Sequence, residues 1–342
     1  MRRGPESETQ KSGIGRYGDK AERNIISHGA GCNSIYFKFD KRLGIRGGFR
    51  KGFIDPLMQF INHNKDSDIC HAVDELSGIY LPLARGKKVV TFHHVTAPDE
   101  DFSRPIDYIL WRVVSNIVIR SADIILAASP QTRDEIARTY KIDKKDIRVL
   151  TVEIGNQFRR IEGAVRSKSV LCVGSLIKRK NISALIRSFR KVVVMPGMSD
   201  AKLIICGKGS EYGNLMHLTK ELGLEDNTEF ISGLNDEEVV ELYNSASVSV
   251  LPTKHEGIGL AIIEAQRCHI PALYFSDAQI PEEVTRFAVP CSGEDELAEE
   301  MFRCLSDEGY RDGIADAAFG YANEFGKDFG DGLFKIYEEI VK

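Results

Sequence analysis

The sequence predicts an α/β protein of two domains with mainly parallel sheets. Three observations carry this. Short β-branched or aromatic runs alternate with stretches of helical spacing along nearly the whole chain. The alternation restarts near residue 168, after a polar, basic stretch. The 342 residues are also enough for two cores. Parallel strands need crossover connections, which the intervening helical stretches supply.

In chain order, residues 35–39, 88–92, 123–127, 148–152, 170–173, 202–206, 247–251 and 272–275 read as strands. Between them, Ile106, Ile109, Leu110, Val113, Val114, Ile117 and Val118 form one helical stripe, and Ile182, Leu185, Ile186, Phe189, Val192 and Val193 another. Residues 155–169 lack periodicity and read as a linker. The expected division is therefore an N-terminal α/β domain over 1–157, a second over 166–311, and a helical tail over 312–342 able to pack across either. Residues 1–11 contain no apolar strand. The first sheet is thus expected to begin at Ile35 or to take its opening strand from residues ahead of Met1.

Composition narrows the function classes. The balance of 46 Lys+Arg against 50 Asp+Glu gives a net charge of −4, and what basicity there is stays too local for a nucleic-acid binder. No apolar run reaches the ~18 residues of a membrane span, and no apolar stretch follows Arg2-Arg3, so a cytoplasmic protein is expected. The seven cysteines are scattered and form no Cys-x-x-Cys pair, which argues for reduced thiols rather than zinc or a disulfide framework. A local basic patch, Arg42, Arg46, Arg50 and Lys51 with Phe49 and Phe53, reads as a solvated loop or an anchor for anionic lipid headgroups.

Two segments carry candidate chemistry. In His255-Glu256-Gly257-Ile258-Gly259-Leu260 a strand leads through a Gly-containing turn into a helix. The glycines let backbone amides approach a ligand, and the helix N-terminus adds positive potential. Glu256 lies on the loop and Glu264 about one turn into the helix. Such a set suits a polyhydroxylated, phosphorylated ligand; the alternative is a solvated loop acid and a helix-dipole acid. In Gly174-Ser175-Leu176-Ile177-Lys178-Arg179-Lys180-Asn181 a basic loop precedes a helix for which Asn181 is a suitable N-cap, and its cations could hold a diphosphate or be a solvated turn. Both segments follow strands, where α/β folds bind ligands. Gly13-Ile14-Gly15 is a weaker Gly-rich turn, and His93-His94 a strand-end pair. Asp66-Ser67-Asp68 reads as a turn rather than a metal site.

These residues resemble glycosyltransferase family 4, the retaining, two-domain GT-B enzymes. The resemblance covers most of the chain and is strongest over 121–283. Ser121-Ala122-Asp123 with Ala128-Ser129 and Thr132, the Val173–Asn181 loop, the 203–209 strand and turn, Leu242-Tyr243 through Leu251-Pro252, the E-x7-E pair Glu256 and Glu264, and Pro271, Pro281 and Glu282 all fall where the family has its motifs. The resemblance implies a GT-B fold of two Rossmann-like domains with parallel sheets facing an interdomain cleft. It also implies transfer of a hexosyl unit from a UDP- or GDP-linked sugar to a glycan or lipid-linked acceptor. No cofactor or metal is implied; the Arg42–Phe53 patch, read as a lipid anchor, adds an expected peripheral contact with the inner membrane face.

By the same carry-over, Lys180, with Arg179 beside it and Gly174 before it, neutralises the diphosphate. Glu264 holds the ribose, and Glu256 the donor sugar. Gly257, Ile258, Gly259 and Leu260 offer amides, and the base sits near Gly207 and residues 230–234, ending at Leu234. His93 stands beside the transferred sugar, with His94 its neighbour, and Gly13 and Gly15 close over the diphosphate. Ser175 departs from the family's usual Arg, and His269 from a usual Gly. A non-catalytic sugar-nucleotide-binding subunit, a GT-B epimerase and a glycoside hydrolase are the alternatives. An NAD-type oxidoreductase lacks its Gly-x-Gly-x-x-Gly here.

Overall fold

The computed structural model describes residues 2–3, 13–37, 55–95 and 105–342. The Arg42–Phe53 basic patch therefore lies outside the described residues. The chain divides into two compact units, Met1–Glu153 with Gly326–Lys342, and Ile154–Phe325.

The first unit runs through α1 (Gly13–Ser27), α2 (Asp55–His63), β1 (Ile69–Ala72), β2 (Lys87–Phe92), α3 (Pro105–Ser121), β3 (Ile124–Ala127), α4 (Pro130–Tyr140) and β4 (Ile147–Val149). Its four strands pair in parallel in the order β1-β2-β3-β4. Val89, Val90, Thr91 and Phe92 are buried without alternation, as strands covered on both faces must be. Ser129 caps α4 by accepting from the Thr132 amide at 3.1 Å, with Pro130 in the first turn. Tyr36–Phe37 pairs with Arg2–Arg3 outside this sheet. Of the stripe expected on α3, only Val118 and the partly buried Val114 turn to the core. Ser115, Val118 and Ile119 are buried, whereas Ile106, Ile109, Leu110, Val113 and Ile117 face outward.

The second unit contains β5 (Ser169–Val173), α5 (Ile182–Val193), β6 (Lys202–Cys206), α6 (Tyr212–Glu221), β7 (Thr228–Ile231), α7 (Asp236–Ser245), β8 (Val248–Leu251), α8 (Leu260–Arg267), β9 (Ala272–Phe275), α9 (Glu282–Thr285), β10 (Val289–Cys291), α10 (Glu294–Ser306) and α11 (Glu308–Glu324). Six parallel strands take the order β10-β9-β8-β5-β6-β7. The predicted α5 stripe is core: Ile182, Leu185, Ile186, Phe189 and Val192 are buried, and Val193 packs against them. Asn235 and Glu238 form a reciprocal capping box at α7.

The tail from residue 312 is two helices. α11 belongs to the second unit, and α12 (Phe329–Val341) to the first, where it packs on α1. Between them Gly326, at φ +70°, lies where a Cβ would come within 2.5 Å of the Val152 carbonyl. Only glycine fits that reversal.

Candidate functional site

The strand order of the second unit fixes where a ligand can bind. From β5 the chain winds to β6 and β7 on one side, then returns to β8 on the other side and continues to β9 and β10. The winding reverses between β5 and β8. Their carboxyl ends therefore splay apart into the crevice in which open α/β sheets bind ligands. The loops leaving these two strands are the two segments that sequence reading singled out.

The loop after β5 passes Gly174 and tightens into a 3₁₀ turn, Lys178–Lys180. The loop after β8, 252–259, is tied to it: the Lys254 amide donates to the Arg179 carbonyl at 3.0 Å, and Thr253 Oγ1 to the same carbonyl at 3.3 Å. On its other side the Glu256 amide donates to the Gln279 carbonyl at 2.9 Å, and the Gln279 amide to the Lys254 carbonyl at 2.8 Å. The backbone of this loop is thereby pinned on both flanks.

Glu256 is 7% exposed. Lys180 Nζ donates to its Oε1, and Arg179 donates to Oε2 at 3.3 Å and to the His255 carbonyl. Burial pushes the Glu256 carboxyl up. The Lys180 and Arg179 cations outweigh it and hold the group below the usual carboxylate range. The expected basic loop is thus no solvated turn. Two cations and one carboxylate share a buried crevice, a net positive site.

Glu264 is buried in α8 and accepts from Tyr243 Oη at 3.1 Å. Gly259 is the residue before α8, at φ +89°, a conformation L side chains rarely adopt. Its neighbours Gly257 and Ile258 are buried, and the first-turn amides of α8, beginning at Leu260, belong to the group a helix cannot satisfy internally. Gly207 follows β6, donating to the Ile231 carbonyl at 2.8 Å, and a Cβ there would lie 1.8 Å from the Gly174 carbonyl. Leu234, half-buried, follows β7. The loops carrying Glu256, Lys180, Gly207 and Leu234 therefore stand side by side at one edge of one sheet.

Two local expectations are corrected or met. Asn181 occupies the N-cap position of α5 but sits at φ +51° and makes no side-chain cap bond, because it also closes the preceding 3₁₀ turn. His269 adopts φ +61°, the conformation expected where glycine is usual, and is steadied by a 2.7 Å contact from Nε2 to Asp316.

In the first unit, Gly13 and Gly15 lie within the first turn of α1 rather than in a loop before it. His93 leaves β2 half-buried, and its Nε2 donates to the Val73 carbonyl at 2.9 Å. The Tyr17 ring meets the His93 ring edge-on, with centroids 4.8 Å apart. Tyr17 Oη and Thr91 Oγ1 are 2.9 Å apart, and Thr91 Oγ1 lies 2.8 Å from His71 Nε2. The His71 Nδ1 reaches Tyr337 Oη at 2.5 Å. Burial pushes His71 down to about 3. Among the described residues no group of three or more His, Cys, Asp or Glu is placed to hold a metal ion. Asp66-Ser67-Asp68 is a turn before β1.

Two family models match the chain in succession: "Glycosyltransferase Family 4" over residues 15–151 and "Glycosyl transferases group 1" over 155–320. The chain belongs to the family 4 glycosyltransferases. The D-inositol 3-phosphate glycosyltransferase of Kribbella flavida is 26% identical over 291 residues, 76% of this chain and 68% of the relative. Two further relatives are matched over 54% and 59% of their lengths. The fold is GT-B. A sucrose-phosphate synthase from Thermosynechococcus elongatus superposes with TM-score 0.78 at 16% identity, covering 99% of this chain and 98% of that one. Anabaena HepE in complex with UDP and glucose gives TM-score 0.71 at 15% identity, over 92% and 88%.

In this glycosyltransferase, sequence reading missed three side chains that brace the sites. Tyr243 enters the sequence only as a motif position, and neither Thr253 nor Tyr17 carries a sequence signal of its own. Their signal is a spatial one, a hydroxyl or ring brought to Glu264, the Arg179 carbonyl or His93 by the fold.

Proposed function

We propose that this glycosyltransferase moves a hexosyl unit, with retention, from a UDP- or GDP-linked sugar to a glycan or lipid-linked acceptor. The observation carrying the reading is the pairing of Lys180 and Arg179 with buried Glu256 at the switch point of the second sheet. Cleaving a sugar–phosphate bond builds negative charge on the diphosphate and positive charge at the anomeric carbon. Fixed cations and helix-terminal amides aimed at the former, and a carboxylate beside the latter, stabilise that state without a metal ion.

In this reading Lys180, Arg179 and the α8 amides take the diphosphate. Glu264, oriented by Tyr243, accepts from the ribose hydroxyls, and Glu256 from those of the sugar. Gly207 and Leu234 border the base. His93, from the first unit, stands beside the transferred sugar, and Gly13 and Gly15 of α1 serve the diphosphate. The departing phosphate takes the acceptor's proton, so no protein nucleophile is needed. A fold neighbour bound to UDP and glucose supports the donor class. No described helix is long and apolar enough to cross a membrane. A cytoplasmic enzyme working at the membrane face fits the proposed acceptor.

Calorimetric titration with UDP, GDP and ADP, each with and without Mg²⁺, tests this. Metal-independent binding of UDP or GDP, matched by the corresponding sugar nucleotide, is expected. Binding of none of them overturns the donor reading.

A further inference from the structure

α3 is apolar on both sides. Its inner face enters the core of the first unit through Val118 and Ile119. Its outer face exposes Ile106 (52%), Ile109 (54%), Leu110 (58%), Val113 (52%) and Ile117 (52%). At 3.6 residues per turn these five lie within an arc of about 100°. Fifteen large hydrophobics are exposed among the described residues, and these five share one helix face, whereas those of the second unit are scattered. A helix apolar all round is ordinarily covered on all sides.

The chemistry of the face selects what covers it. The other exposed positions of α3 are Asn116 and Arg120, so no carboxylate lies on that face. Tyr108 and Trp111, half-buried, lie on the opposite side of the helix with the buried Ser115, Val118 and Ile119, so the exposed stripe is wholly aliphatic. Arg112 lies beside them, its guanidinium 4.6 Å from the Tyr140 ring centre. The face is also small. A 17-residue helix is about 25 Å long and 10 Å wide, so it offers about 250 Å², against about 800 Å² per partner in a stable dimer. With Asp107, Arg112 and Arg120 in its 17 residues, it suits lying on a bilayer rather than crossing it.

We propose that the outer face of α3 docks this enzyme on an anionic lipid bilayer, with Ile106, Ile109, Leu110, Val113 and Ile117 entering the headgroup–acyl boundary and Arg120 meeting lipid phosphates. The inference rests on the transferase reading for its purpose, delivery of the enzyme to a lipid-linked acceptor, but its test does not depend on transfer.

The full chain is floated with vesicles of phosphatidylcholine plus phosphatidylglycerol, and with phosphatidylcholine alone. Wild type is expected to float with the mixed vesicles and more weakly with the neutral ones. The double variant I109E/I117E changes exposed side chains only. It is expected to melt like wild type, to keep nucleoside diphosphate binding, and to lose partitioning by about tenfold or more. Val194→Glu, at an exposed apolar position of the second unit, is expected to float as wild type does. Wild type failing to float, or I109E/I117E floating equally, overturns the proposal. So does light scattering that shows a wild-type dimer split by I109E/I117E, since a second copy would then cover the face. Normal flotation without nucleoside diphosphate binding strikes the donor reading and leaves the docking intact.

Discussion

Replacing Glu256 by Gln keeps the side chain's shape and removes its charge, leaving the Lys180 and Arg179 cations facing each other in a buried crevice. At an effective dielectric constant of about 20, one charge pair at the 3.3 Å Arg179–Glu256 separation is worth about 5 kcal/mol before desolvation is counted. Breaking a buried pair by removing one partner costs about 3–5 kcal/mol, and Gln recovers part of that by still accepting a hydrogen bond. A loss of about 3 kcal/mol, at about 2–4 °C per kcal/mol for a unit of this size, lowers Tm by roughly 6–12 °C. The diphosphate, in the proposed reading, supplies the charge that the substitution removed. Nucleoside diphosphate at about 100 times its Kd should return about 2.7 kcal/mol. Its affinity for E256Q should equal or exceed that for wild type, because no carboxylate now competes for the cations. Sugar transfer should nonetheless fall by about 10²–10³, the cost of removing a group that stabilises the developing charge. Melting curves with and without nucleoside diphosphate, calorimetry and initial rates read all three. E256Q melting as wild type does while losing nucleoside diphosphate affinity would refute this account of the charges.

Three further outcomes follow from the same geometry. Glu264→Ala should weaken nucleotide binding by about 2 kcal/mol, roughly thirtyfold, and Tyr243→Phe by about 1 kcal/mol; unchanged affinity by calorimetry removes Glu264 from the ribose. Lys180→Ala should lower affinity about tenfold for a nucleoside diphosphate and little for the nucleoside, and equal losses in the two titrations would place Lys180 away from the diphosphate. His71, with its folded pKa depressed to about 3 against about 6.5 unfolded, binds its proton in the unfolded state first. Its contribution is present above pH 6.5 and lost as pH falls toward 3, at up to about 1.4 kcal/mol per pH unit. His71→Gln should flatten that part of the stability profile measured by denaturant melts.

Much of the second unit was legible because its signals are local. The α5 stripe, the positive-φ site at His269 and the turn-to-helix run from Glu256 to Glu264 each state their conformation within a few residues. The strands that escaped notice lack that grammar. Val289–Cys291 has Pro290 at its centre, tolerable because β10 is an edge strand. Thr228–Ile231 carries Glu229 on the opposite edge strand, β7, where a face stays wet. The α3 stripe had the right period, but periodicity reports a face, not which side it turns to. The pairing of Lys180 with Glu256 spans 76 residues, a separation at which only the strand order brings the loops together.

That strand order also explains why the site can be built in advance of its ligand. A loop bearing two adjacent cations, Arg179 and Lys180, beside a buried strand end is unstable alone, since burying charge without a partner is costly. Because β5 and β8 are neighbours although 74 residues separate Val173 from Val248, the loop after one can carry the counter-charge for the loop after the other. Glu256 thereby holds the cations in place, and in the proposed reading it becomes available to sugar hydroxyls when a diphosphate replaces it as their partner. The backbone bonds from Lys254 to Arg179 and from Glu256 to Gln279 fix that geometry beforehand. Electrostatic catalysis gains from such an arrangement, because dipoles and charges already oriented need no reorganisation as the sugar–phosphate bond breaks.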